Sequence, residues 1–332
     1  MKQRILKIWN FSMLLAKGYF KSSLYLIAPQ IVSIFVILIT LPIILGNLEV
    51  KDYGLLQFVF AIQVWLAALT AENATIGAQR GIARGLEGTF FYALFSRMKL
   101  VVPLGLLVLA AVPVVSFFGY ELLSQLLLIL GAFFLVGYLP QISYPSLFIA
   151  KKQFKELAFF QVALYVFVPV MTVTAAVLTQ DILVFALTHF GMHAFIGWTG
   201  LVYVAAKNDL LRSFREKKID KDSFSYGVRM IFPSVTLQSA NKVSEFIIGP
   251  LFGFQSLAVF SVAHNVEKKS RMPMKLLHNL LYSDFAADGW DSLITKIRSK
   301  LLEMVVLSIG VGLALAAVGS LYLGLFLPDS YQ

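Results

Sequence analysis

The chain has 332 residues, 58% of them hydrophobic and only 14% charged, with a mean hydropathy of +0.79. No soluble globular domain carries that composition, so the sequence reads as an all-α polytopic membrane protein. It has no cysteine, which excludes disulfides, thiolate metal sites and a cysteine nucleophile, and its net charge of +10 is one that membrane topology explains without a nucleic-acid partner.

Residues 1–23 carry Lys2, Arg4, Lys7, Lys17 and Lys21 and no acidic residue. The apolar stretch 24–46 is too long for a signal-peptide core and lacks a small-residue cleavage site, so it reads as an uncleaved first span. Further apolar runs at 54–78, 100–118, 122–149, 157–178, 182–205, 226–250, 252–283 and 301–327 bring the expectation to about nine transmembrane helices. The eighth has a short apolar part followed by His264, Asn265, Glu267, Lys268 and Lys269, a pattern that an interfacial helix also shows. Charge arbitrates. With a cytoplasmic N-terminus and every run crossing, all of the 28 Lys and Arg residues except Lys51 and Lys242 belong to inner segments. Dropping the eighth run would put Lys268, Arg271 and every later basic residue outside, so it is kept.

The outer loops are short, and none is large enough to hold an active site. The basic stretch 206–225 divides the chain. Residues 1–205 form a complete six-span N-terminal bundle, 206–225 a cytoplasmic linker loop, and 226–332 the start of a second bundle with three spans. The two parts echo one another. Pro29 to Gly46 has its counterpart in Pro233 to Gly249, and Tyr53-Gly54 in Leu257-Ala258. Paired bundles with a site between them are a transporter architecture. A six-span repeat would leave the second bundle incomplete, and the chain a fragment or a truncated form.

Residues 226–250 carry the most informative chemistry. Ser234, Gln238, Asn241, Lys242 and Glu245 fall within roughly 100° of one another on a helical wheel, in a segment long enough to cross a bilayer. A charge at the bilayer centre costs on the order of 3 kcal/mol, so this stripe faces protein or a watery cavity. Two readings stay open: a Lys242–Glu245 pair that joins helices, or a cavity wall. Gln30, Ser33, Gln63, Gln141 and Gln161 stand singly among apolar residues, where an interhelical hydrogen bond is the ordinary reading. Glu72 and Asn73 sit near the inner end of the second span, a solvated position. His189 and His193 share one helix face, but a metal site wants a third ligand and none lies nearby in that helix, so packing or a proton-linked role remains. Arg80, Arg84, Lys151 and Lys152 lie at inner helix ends, where topology and attraction to anionic lipids suffice to explain them. Pro29 and Pro233, at matching places in the two parts, are expected to bend their helices. There is no Gly-rich phosphate loop, no nucleophile elbow and no pair of acids on an outer loop. The chain is therefore not expected to be an enzyme, to carry a metal or cofactor, or to be driven by ATP.

The basic N-terminus, the first span and the loop ending Asp52-Tyr53-Gly54 resemble the opening of the polysaccharide-lipid flippases. These include the O-antigen (Wzx-type) exporters of the multidrug/oligosaccharidyl-lipid/polysaccharide superfamily. Ser244-Glu245-Phe246-Ile247-Ile248-Gly249, then Leu257 to Ala263, is similar to that family's seventh-to-eighth-span signature, with Ala258 where the family has Gly and Phe260 where it has Tyr. Phe326 to Tyr331 resembles the loop before its tenth span. The resemblance runs through the whole chain, which would be about the first two-thirds of a family member.

The resemblance implies an inverted-V, two-lobe transporter in the bacterial cytoplasmic (inner) membrane. Its task would be flipping an undecaprenyl-diphosphate-linked oligosaccharide, such as an O-antigen unit, to the outer leaflet by alternating access. In that role Lys242 is expected to meet the diphosphate, and Gln238, Asn241, Gln30 and Gln63 to line the substrate cavity. Glu245 would bind a coupling cation or proton, or neutralise Lys242. Arg80 and Arg84 would form the cytoplasmic mouth. Expected partners are the lipid-linked oligosaccharide, anionic membrane lipids and polysaccharide polymerase machinery. The rivals are a cation-coupled multidrug exporter of the same superfamily and a truncated remnant that transports nothing.

Overall fold

A computed structural model describes residues 2–70, 74–208 and 231–270, together with 210, 219, 220, 225 and 229, with side chains between 25 and 265. Among these residues there are ten helices and no strand. They are α1 (Lys2–Asn47), α2 (Val50–Leu69), α3 (Ala74–Ala83), α4 (Gly88–Phe117) and α5 (Glu121–Val136). The rest are α6 (Tyr138–Ala150), α7 (Phe154–Thr179), α8 (Ile182–Lys207), α9 (Ile231–Phe252) and α10 (Phe254–Ser270).

Helix is the form in which an apolar segment can satisfy its own backbone inside hydrocarbon. The Tyr25–Asn47 part of α1, α2, α4, α7 and α8 are each long and apolar enough to cross a membrane. α5 and α6, bent by 43° at Gly137, are long and apolar enough for a sixth crossing when taken together as one broken span. Pro140 lies in the first turn of α6, where its missing N–H leaves no helix bond unmade. These are the first six expected spans, and the protein is an all-α polytopic membrane protein. Large apolar side chains face outward, as in Phe117, 86% exposed, and Leu178, 76% exposed. In lipid that exposure costs nothing, because the surroundings are as apolar as the side chain.

One feature differs from the sequence reading. The second expected span, 54–78, is not one helix, because α2 ends at Leu69 and α3 starts at Ala74. Pro29 lies deep inside α1, and Pro233 lies near the first residues described for α9, beside a stretch most of which falls outside the described residues. The ninth expected span lies outside the described residues, as do Glu72 and Asn73.

One apolar core joins α2, α4, α5 and α8 through Leu56, Val59, Val101, Leu126, Phe134 and Phe190. A second joins α3, α4, α6, α7 and α8 through Ile82, Phe90, Phe148, Phe160 and Ile196. A third, smaller one holds Leu41 and Leu45 of α1, Tyr53 of α2, and Ala258 and Val262 of α10. This last cluster ties the start of the second part to the first. A Cβ placed on Gly54 would lie 1.7 Å from the Phe254 carbonyl oxygen and 3.1 Å from the Ala258 nitrogen. Only glycine lets the backbones of α2 and α10 meet so closely. Gly54 and Ala258 are the matching small residues of the internal echo, and the fold sets them against one another.

The basic helix ends are cross-linked by ion pairs. Lys151, after α6, pairs with Glu87 before α4, and Lys207 at the end of α8 pairs with Glu156 of α7. Arg84 pairs with buried Asp220 at 3.2 Å, and the Asp220 N–H donates to Thr89 Oγ1 at 2.9 Å. Burial pushes Lys151 below the usual lysine pKa.

Candidate functional site

α9 meets the first part of the chain along α2. Phe246 sits edge-on to Phe58 and Trp65, and the Trp65 indole N–H donates to Ser239 Oγ at 3.1 Å. That contact fixes the rotation of α9 and turns Lys242 and Glu245 inward. Lys242 donates to Glu245 Oε1 at 2.5 Å, and the two side chains are 13% and 4% exposed. Glu245 Oε2 is buried without a hydrogen-bond partner among the described residues.

Of the five residues in the polar stripe, Lys242 lines a cavity of about 400 Å³. The other walls come from Ser33 and Thr40 on α1, Gln57 and Phe60 on α2, Tyr165 on α7, His189 and His193 on α8, and Asn265 on α10. The Lys242–Glu245 pair lies within one helix, and its cation lines the void. No Asp or Glu lines that void among the described residues. An ammonium has three N–H donors, and Glu245 accepts from one.

The histidines are joined to the helices around them. Gln141 donates from its amide nitrogen to His193 Nδ1 at 2.7 Å, leaving Nε2 of that ring to carry the proton. His189 packs 4.7 Å from His193 and 4.8 Å from Phe60, ring centre to ring centre. Among the described residues, no cluster of three metal-ligating side chains includes them.

The remaining candidates scatter. Gln30 donates to the Tyr165 hydroxyl at 3.5 Å, on the rim of the same cavity. Gln63 and Gln238 are half-buried outside its lining, and Asn241 is exposed. Arg80 is exposed on α3, while Arg84 spends one guanidinium nitrogen on Asp220.

Arg97 is the residue that sequence reasoning missed. It was counted with the basic residues of the inner face, yet it is 2% exposed. Its Nε donates to the Thr70 carbonyl at 3.1 Å and its Nη2 to Thr70 Oγ1 at 3.3 Å, while Thr70 Oγ1 also meets the Tyr138 hydroxyl at 3.2 Å. α2 thus ends on a buried guanidinium, a cation where the helix dipole is negative. The signal available was its place ten residues inside a 30-residue apolar helix.

A solved structure described as the outward-facing conformation of a multidrug resistance MATE family transporter of the MOP superfamily matches over 93% of this chain and 73% of its own. The TM-score is 0.59 at 15% sequence identity, so the likeness is one of fold. Residues 44–287 match the family described as polysaccharide biosynthesis protein, and the chain belongs to that family. No curated protein sequence matches it.

Proposed function

We propose that the protein moves a lipid-linked oligosaccharide across the bacterial cytoplasmic membrane by alternating access between two lobes. The lobes are 1–205 and 226–332, joined by the linker 206–225, with the N-terminus cytoplasmic. The observation that carries this reading is the sign of the cavity. Lys242 lines it, and no acidic residue does among the described residues. A diphosphate head group needs donors and positive charge to replace its water over about 30 Å of hydrocarbon. The lipid tail stays in the bilayer while the head group passes through the void.

Glu245 is the coupling residue in this scheme. Its carboxylate holds Lys242, and its second oxygen has no hydrogen-bond partner among the described residues. Taking up a proton or a cation there would weaken the hold and release the ammonium to the substrate. Gln30 acts through Tyr165, and Arg80 with Arg84 attracts the anionic head group to the inner mouth.

A multidrug exporter is the second reading, favoured by the aromatic walls Tyr53, Phe60, Tyr165 and Phe185. An organic cation is poorly served by a cavity whose lining charge is Lys242. Cells lacking the protein decide between the two. Lipid-linked glycan trapped on the inner leaflet supports the flippase, whereas lost dye resistance with normal surface glycan overturns it.

A further inference from the structure

A second cavity, of about 300 Å³, lies among α3, α6 and α7. It is polar and, among the described residues, its lining holds no Asp, Glu, Lys, Arg or His. Three amides face one another there: Gln79 from α3, Gln141 from α6 and Gln161 from α7. Tyr144 and Tyr165 line it as well, and so does Ser146, whose hydroxyl donates to the Ser143 carbonyl at 2.7 Å. Gln141 Oε1 and Gln161 Oε1 are buried acceptors without a partner among the described residues. A buried carbonyl left unmatched costs about 1–3 kcal/mol, so a cavity built around two of them is built for donors.

The fold takes pains to bring these groups together. α6 reaches its place because α8 offers glycines: a Cβ on Gly197 would lie 2.7 Å from the Gln141 Cα, and one on Gly200 would lie 2.9 Å from the Tyr144 ring. The cavity is also not isolated. Leu164 and Tyr165 line both it and the Lys242 cavity, and the Gln141–His193 hydrogen bond crosses from one to the other.

We propose that this second cavity is a saccharide subsite, taking a neutral sugar by its hydroxyl groups while the diphosphate stays beside Lys242. The chemistry selects the ligand. Uncharged amides and phenols, in a site without an ion, suit a group rich in O–H donors and acceptors whose C–H faces can lie on rings. A diphosphate would find no cation there, and a purely apolar tail would strand the two carbonyls. The inference rests on the transport reading above and adds where the sugar binds.

The test uses the full chain in lipid nanodiscs, with two probes: undecaprenyl diphosphate, bare or bearing one N-acetylglucosamine. Native mass spectrometry gives both dissociation constants. The sugar-bearing lipid is expected to bind about tenfold tighter, the equivalent of one or two good hydrogen bonds. Gln161→Leu and Gln79→Leu, on different helices, are each expected to bring that ratio close to one. Lys242→Gln is expected to weaken both lipids and keep the ratio. A wild-type ratio near one, or a ratio that survives in both leucine variants, overturns the subsite and leaves the transport reading standing. A wild-type protein that binds neither lipid overturns both.

Discussion

Lys242 and Glu245 pose a question of sign at the scale of single residues. Removing one partner of a buried pair strands the other charge, at a cost of about 3–5 kcal/mol, whereas replacing both by apolar groups is often close to neutral. Lys242→Met alone is therefore expected to lower thermal stability clearly. Lys242→Met combined with Glu245→Leu is expected to recover most of it while losing affinity for undecaprenyl diphosphate. Melting curves and lipid binding on these two variants and the wild type separate the two roles. If the double variant binds the lipid as wild type does, the pair is only structural. Arg97 invites a similar cut. Arg97→Met removes two hydrogen bonds from a charged donor and leaves the Thr70 carbonyl buried, so a loss of about 2–4 kcal/mol is expected. Arg97→Lys keeps the charge but not the fork, and is expected to recover only part. At this scale the sequence was half legible. A periodicity argument placed Lys242 and Glu245 on one face because their spacing alone determines it. It could not tell that Asn241, a single residue away, points out of the protein. Nor could it pair Gln141 with His193, since that contact depends on how α6 docks on α8.

Helices were the easiest level to read and their joints the hardest. Six crossings were legible because hydrocarbon selects apolar runs of one length, and that filter needs no knowledge of packing. The break after Leu69 carries no proline, and a guanidinium from another helix holds its end, so nothing local announces it. Glycines on crossing helices make the sharpest prediction. Gly54→Val drives a side chain into the Phe254 carbonyl, which is backbone and cannot turn aside. A loss of at least about 3 kcal/mol is expected, beyond the usual range for overpacking. Gly46→Ala, with nothing within 4 Å, is the control and is expected to leave melting unchanged. Equal melting of the two variants would mean that α2 and α10 do not meet there.

For the whole molecule, the alternation of helices fixes which connections share a side. Asn47–Val50, Phe118–Glu121 and Gln180–Asp181 lie at one end, and Lys151–Gln153 with Lys207 at the other. The chain has no cysteine to remove, so single cysteines report this directly. Thr179→Cys is expected to react with an impermeant maleimide in intact cells, and Lys152→Cys only after the cells are opened. The reverse pattern would invert the protein and move Arg80 and Arg84 away from the side where substrate is made. The seat of the Phe254 carbonyl on Gly54 has one mechanical corollary. A backbone oxygen resting on a bare Cα can roll without any rotamer having to change, as a fulcrum does, and this one sits close to the Asn47 end. α10 runs about 25 Å from Phe254, so tilting it by about 10° around that point would swing its remote end by about 4 Å while the near end stays shut. Paired spin labels would register such leverage as distances that broaden at one mouth and hold still at the other.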